Sequence, residues 1–269
     1  MLWEQLTTQQ FELAAKNGVC VIPIGVLEKH GNHLPLGTDM YTSTAICKAA
    51  AEIEPAIVFP YYFFGQIAEA RHYPGTIAVS HEMMMETLLA MCDEIARNGI
   101  QKIMILSGHG GNNHFLPFFA QEMPRLNRNY AVYTGQAVEL TSVQRKEVQQ
   151  TAGVQDLGQH AGLAETALMM YLQPKLIKNE AQDPAEGVDR QRLADIKKEN
   201  LFTGYNWYAG FPNHYAGDHT AATPELGKKV FEMVVENAVK KIKAVKADDE
   251  SLSLISEFAE FTKAPRTMR

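Results

Sequence analysis

The chain reads as an α/β protein, a parallel or mixed β-sheet covered by helices on both faces. Short apolar runs rich in β-branched residues alternate along it with longer segments of helical periodicity. The runs are nearly continuous in apolar residues, which suits strands buried on both faces. A third observation agrees with these two. The residues able to do chemistry gather directly after such runs, where open α/β sheets form their sites.

Strands are predicted at 19–24 (Val-Cys-Val-Ile-Pro-Ile), 56–60, 75–79, 102–107 (Lys-Ile-Met-Ile-Leu-Ser) and 130–134. Helices are predicted between and after them. The first covers 39–53, where Ala45, Ile46, Ala49 and Ile53 recur at helical spacing. The second covers 81–98, with Met84, Leu88, Met91 and Ile95 on one face, Ser80 as N-cap and Gly99 as stop. Three more are predicted at 113–127, 162–172 and 223–246. Met83-Met84-Met85 reads as core filling. Residues 179–218 are rich in Asn, Asp, Gly and aromatics with weak periodicity, and read as a long excursion from the sheet. One domain is expected over residues 1–247, followed by a tail, 248–269, loosely attached or used in an oligomer contact.

Composition narrows the function. With 269 residues, 46% hydrophobic, a sizeable core is available. A net charge of -6 and no basic stripe argue against a nucleic-acid partner. The cluster Lys240, Lys241, Lys243 and Lys246 shares its predicted helix with Glu232 and Glu236 and reads as a solvated face. Cys20, Cys47 and Cys92 form no CxxC pair and sit in apolar patterns, as buried small hydrophobes do. The start lacks the basic flank and apolar core of a signal peptide. No apolar run approaches the roughly 18 residues of a membrane span. A cytoplasmic protein without a membrane partner is the expectation.

Three segments carry the chemistry. The first follows the run 19–24: Glu28-Lys29-His30-Gly31-Asn32-His33-Leu34-Pro35-Leu36-Gly37-Thr38-Asp39. Carboxylates and imidazoles together at the end of a buried strand suit a divalent metal. The second, Ser107-Gly108-His109-Gly110-Gly111-Asn112-Asn113, follows 102–107. Its glycines let the backbone approach a ligand, and its N–H groups could face an anion. The third, His160-Ala161-Gly162-Leu163-Ala164-Glu165-Thr166, enters a helix. There Glu165 lies one turn in and could point back toward the site.

Taken in order, Glu28-x-His30-Gly31-x-His33-Leu34-Pro35-Leu36-Gly37-Thr38-Asp39, Gly108-His109-Gly110-Gly111-Asn112 and His160-Ala161-Gly162-x-x-Glu165-Thr166 resemble the creatininase (creatinine amidohydrolase) family. Tyr73-Pro74-Gly75-Thr76 and Gly217-Asp218 resemble it too, and the likeness runs from about residue 18 to 240. The resemblance implies a three-layer α/β/α sandwich around a mostly parallel sheet, hydrolysis of a C–N bond, and a homo-oligomer, often a hexamer. It implies two divalent ions per subunit, zinc foremost, with manganese or iron also compatible with His and carboxylate ligands. Glu28, Asp39 and His109 resemble the ligands of one ion; His30 and the bridging Asp39 resemble those of the other.

Two departures from the family pattern matter. Creatininase proper has a Glu where this chain has Gly111, which has no side chain to coordinate with, so Glu165 is the candidate to complete the second ion's ligands. Three carboxylates and a bridging hydroxide then offset two divalent ions. Creatininase also carries a Trp just before the His160 position; here Gln155-Asp156-Leu157-Gly158 stands there, which speaks against creatinine itself. His160 is expected to act as general acid–base on the leaving nitrogen. His33 is expected to orient a ligand, and Gly110, Gly111 and Asn112 to contact or support the substrate. The substrate is expected to be a small molecule with an amide, lactam or formamide bond. A formamide on a nucleotide, a short peptide, or a non-catalytic metal-binding role are the alternatives. Arg71 and His72 alone are thin support for a phosphorylated substrate.

Overall fold

The structure is a computed structural model that describes residues 1–16 and 18–263. Four strands, β1 (Val19–Ile24), β2 (Ile57–Val58), β3 (Lys102–Ser107) and β4 (Ala131–Gln136), pair in parallel in the order β2-β1-β3-β4. The helices in chain order are α1 (Thr8–Ala15), α2 (Thr38–Ile53), α3 (His81–Arg97), α4 (Asn112–Leu126), α5 (Ser142–Ala152), α6 (Leu163–Leu172), α7 (Ala194–Lys198), α8 (Asn206–Gly210), α9 (Pro224–Ala247) and α10 (Glu250–Lys263).

Alternate residues of each central strand feed different cores. Val19 and Val21 of β1, with Met104 and Leu106 of β3, pack against α2, α6 and α9. Cys20, Ile22 and Ile24, with Ile103 and Ile105, pack against Met84, Leu88, Cys92 and Ile95 of α3 and Phe115, Leu116 and Phe119 of α4. That is the three-layer α/β/α sandwich, and it explains why β1 is apolar and buried throughout. All three cysteines are buried and free. Among the described residues, no helix is long and apolar enough to cross a membrane.

Several elements differ from the sequence expectation. Residues 75–79 do not form a strand. Gly75 takes a left-handed φ of 85°, and the segment then runs extended over the 25–28 loop, where Ile77 N donates to Leu27 O at 3.1 Å. The strand expected at 56–60 shrinks to two residues. Helices α1 and α5 were not expected, because their apolar stripes are thin: each buries one residue, Ala15 and Val148 respectively. Their signal is instead a capping box, Thr7 with Gln10 and Thr141 with Gln144. Residues 250–263 form α10, which lies against α4 and β4 with none of its residues fully buried. The 179–218 excursion contains 3₁₀ turns and the short helices α7 and α8.

Helix α9 supplies nine buried residues to the core, so its start should matter. Thr223 Oγ1 accepts the Leu226 N–H at 3.1 Å. Thr223→Ala is expected to cost about 1 kcal/mol of stability, measurable as a lowered urea midpoint with an unchanged slope.

Candidate metal and active site

The strand order puts a switch point between β1 and β3: the chain leaves β1 for β2 on one side, then crosses to β3 on the other. A crevice opens there beyond the carboxyl ends of the strands. The loop after β1, the loop after β3 and the start of α2 all meet in it. Helix α2 can enter because Gly25 and Gly108 lack side chains. A Cβ on Gly108 would lie 2.5 Å from the Asp39 carbonyl oxygen, and one on Gly25 would lie 2.8 Å from the Asp39 carbonyl carbon. Asp39 therefore reaches the crevice from the first turn of α2, where the helix dipole favours a carboxylate.

Glu28, His30, Asp39, His109 and His160 are buried and Glu165 is partly so. All six come together. His109 Nδ1 lies 2.7 Å from Glu28 Oε1 and 3.1 Å from Asp39 Oδ2. His30 Nε2 lies 3.0 Å from Asp39 Oδ1 and 4.0 Å from Glu165 Oε2. Three groups of potential metal-binding atoms result: Glu28–Asp39–His109 and His30–Asp39–Glu165, which share Asp39, and Glu28–His30–His160, in which the His160 Nε2 is already committed to the Lys29 carbonyl.

The tautomers decide what these short distances mean. His109 Nε2 is 2.7 Å from the Gln66 carbonyl, and His30 Nδ1 is 3.3 Å from the Glu28 carbonyl. A carbonyl only accepts, so each of these nitrogens carries the proton. In a neutral imidazole the other nitrogen is then a lone pair. On both rings that lone pair faces carboxylate oxygens. Glu28 Oε1 and Asp39 Oδ2 are moreover buried without a hydrogen-bond partner. Lone pairs facing lone pairs repel, so each gap calls for a cation or a proton. A divalent ion fits, and the backbone carbonyls behind the imidazoles orient them as metal ligands usually are oriented.

Protons meet the same need in the metal-free chain. Burial disfavours a charged His30, yet Asp39, Glu28 and Glu165 overcome it and raise its pKa to about 10. His109 is likewise raised against its burial by Glu28 and Asp39. Glu28 sits well below its ordinary range: burial opposes this, but His109, His160 and His214 prevail. Burial and the neighbouring carboxylates Asp39 and Glu28 push Glu165 up to about 7.

His160 differs. Its Nε2 donates to the Lys29 carbonyl at 2.8 Å, its ring lies 4.2 Å from that of His30, and burial beside His30 lowers its pKa well below the usual value. It is a neutral imidazole over the site. Glu165 accepts the Ala161 N–H at 2.5 Å, and Ala161 takes a left-handed φ of 52°. That bond turns the first-turn carboxylate of α6 back toward His30.

His33 lies behind these residues. Its Nε2 pairs with Thr166 Oγ1 at 2.9 Å and its ring lies 4.2 Å from His219. Burial, with His219 and His30 nearby, lowers its pKa to about 3. Asn112 does not reach the cluster. It receives the Gln66 N–H at 2.9 Å and donates to Ser107 Oγ at 3.1 Å, so it holds the loop whose carbonyl fixes His109. Two of the turn's N–H groups are already committed, Gly108 to Ile24 O and His109 to Ser107 Oγ. Gly110 and Gly111 are the turn positions left for a substrate oxyanion.

Sequence reasoning missed His214, Trp207 and Gln66. His214 Nε2 donates to Glu28 Oε2, because its Nδ1 accepts the Trp207 indole N–H at 3.1 Å. The segment holding His214 is pinned by paired bonds between His160 and Ala216. Trp207 also stands edge-on to His160 at 5.7 Å, so an aromatic ring does reach this histidine, from the excursion rather than from residues 155–158.

The creatininase (creatinine amidohydrolase) family model matches residues 4–242. The chain belongs to the creatininase family, hydrolases that act on amide bonds. It is 29% identical over 187 residues to a creatinine amidohydrolase from Pseudomonas putida, covering 64% of this chain and 72% of that protein. It is 24% identical over 259 residues to a mycofactocin precursor peptide peptidase from Mycolicibacterium smegmatis, covering 91% and 93%. A crystal structure of creatinine amidohydrolase superposes with a TM-score of 0.74 at 22% identity, covering 92% of this chain and 98% of that one. A manganese form of creatininase superposes at 0.73 with 22% identity, covering 92% and 99%.

Proposed function

We propose that the protein is a metal-dependent amidohydrolase that cleaves a C–N bond of a small molecule at a site for two divalent ions. The observation that carries this reading is the opposition of imidazole lone pairs to orphaned, buried carboxylate oxygens around Asp39. Glu28, Asp39 and His109 would hold one ion; His30, Asp39 and Glu165 the other. Two such ions would supply an activated water and polarise the substrate carbonyl. Zinc and manganese both suit the ligands, and related creatininase structures exist in Mn and Zn–Zn forms.

The chain's own residues do the rest. His214, set by Trp207, holds Glu28 in place. The N–H groups of Gly110 and Gly111, not committed within the turn, would be available to the developing oxyanion. His160 keeps its Nε2 proton on the Lys29 carbonyl, so its Nδ1 lone pair would take the proton that the attacking water loses and pass it to the leaving nitrogen.

A short-peptide amide is a second reading. The alignment with the precursor-peptide peptidase spans 91% of the chain, against 64% for the creatinine amidohydrolase. Lactams, formamides and short peptides should therefore be assayed side by side.

Elemental analysis of the purified protein, before and after chelation, tests the core claim. About two ions per chain are expected, with turnover lost on chelation and restored by zinc or manganese. Full activity in metal-free protein would overturn the proposal. Glu165→Gln is expected to lower the content to about one ion per chain, since it removes a charged ligand from the second site only. Two ions retained would show that another group fills the place opposite Gly111.

A further inference from the structure

Beside the cluster, on the side of Gln66 and Gly111, lies a cavity of about 460 Å³. Its walls are mainly aromatic and apolar: Phe115, Phe118, Phe202, Trp207 and Met85. It adjoins the site through three shared residues. Gln66 holds His109 through its carbonyl, Gly111 belongs to the turn after β3, and Trp207 holds His214. No Lys or Arg lines it, and its one carboxylate is Glu69. Two imidazoles, His81 and His114, complete its polar lining together with Thr203 and Asn206.

Gly111 is what lets this cavity meet the site. A Cβ at 111 would lie 2.3 Å from His109 Nε2 and 2.7 Å from both the carbonyl oxygen and Oε1 of Gln66. A side chain at 111 would force the Gln66 loop away and alter the floor. Gln66 Nε2 donates to Glu69 Oε2 at 2.8 Å, which fixes the amide orientation. Its Oε1 is left buried without a partner, as is Oδ1 of Asn206, another lining residue. The slot thus offers aromatic walls and unsatisfied acceptors, a combination that suits an uncharged apolar group with an N–H beside it.

We propose that this slot receives a large, uncharged apolar substituent, an aromatic ring above all, on the amide whose bond is cleaved. The proposal rests on the amidohydrolase reading for its catalytic meaning but not for its test. Phe118 and Phe202, both more than half exposed, form the lip where the substituent enters.

Equilibrium binding to the full chain as purified decides it, with N-acetylphenylalaninamide, N-acetylglycinamide and N-acetylphosphoserinamide as probes, followed by calorimetry or Trp fluorescence. The phenylalanine probe is expected to bind at least about tenfold more tightly than the glycine probe, as burial of a benzyl group allows. The phosphoserine probe is expected to bind less tightly than the phenylalanine probe. Phe202→Ala and Phe118→Ala should each shrink the phenylalanine preference to about threefold or less, at a melting temperature close to that of the parent. Equal binding of the first two probes, tighter binding of the phosphoserine probe, or an undiminished preference in both variants would overturn the assignment. Hydrolysis of N-formylphenylalanine, N-formylglycine and alanylphenylalanine is measured in parallel. Selective binding without any hydrolysis counts against the amidohydrolase reading alone; hydrolysis without selectivity counts against the slot alone.

Discussion

Asp39→Ala is expected to release both metal ions and take turnover to background. Asp39 is common to the ligand sets of both proposed ions: Oδ1 lies 3.0 Å from His30 Nε2 and Oδ2 lies 3.1 Å from His109 Nδ1. Without it, Glu28 and His109 remain on one side and His30 and Glu165 on the other, two protein ligands each. Such sites are too weak to stay occupied at micromolar metal. Metal content should fall from the proposed two ions per chain to near zero, and kcat/KM by at least about 10³-fold, since two such ions would supply both nucleophile and electrophile. The fold should survive, because the core on both sheet faces does not depend on this side chain. Circular dichroism checks the fold and elemental analysis the metal. A folded Asp39→Ala protein with full metal content would sink the shared-ligand assignment. His160→Asn makes the contrasting case: metal retained, turnover reduced by about 10²–10⁴-fold.

Much of this could be seen in the sequence because the site's main parts are local. Glu28, His30 and Asp39 sit in one loop directly after an apolar run, and His109 directly follows another, so the rule for strand ends brings them together without tertiary information. Glu165 could be reached from its place one turn into α6. What could not be read depends on distant contacts. His214 lies in a stretch with no periodicity, 186 residues from the Glu28 it supports. Its placement depends on the His160–Ala216 bonds and on Trp207, neither of which leaves a local pattern. Gln66 acts on His109 through a backbone carbonyl, which its side-chain identity does not announce. The expected strand at 75–79 failed for a related reason. Thr76, Ile77 and Val79 suit a strand, but the turn at Gly75 lays them over the 25–28 loop instead of beside a sheet edge.

Acidification should unload the metal, and the pKa shifts give the pH window. In the metal-free chain His30 is raised to about 10 and His109 well above its ordinary value, so both gaps around Asp39 hold protons at neutral pH. Glu165, raised to about 7, is also partly protonated there. Metal binding must displace these protons. Each displaced proton makes apparent affinity rise about tenfold per pH unit, so two histidine protons predict a rise approaching about 100-fold per unit near pH 7. The same shifts govern the stability of the metal-free fold. A pKa raised on folding contributes stability below the unfolded value and loses it as pH climbs through the folded one. For His30 that loss runs from about 6.5 to about 10. For Glu165, whose folded form also binds the proton more tightly, it runs from about 4.5 to about 7. His33, lowered to about 3 by burial and by His219 and His30, acts in the opposite sense and costs stability as pH falls below about 6.5. The metal-free protein should therefore melt at progressively lower temperature from pH 7 to 9, while saturating zinc raises the melting temperature by an amount that grows with pH. Titration calorimetry in buffers of different ionisation enthalpy should count about two protons released per chain near pH 8. Zinc affinity independent of pH between 6 and 8, with no proton release, would mean that the imidazoles do not bind the ions and that the lone-pair opposition around Asp39 has another cause.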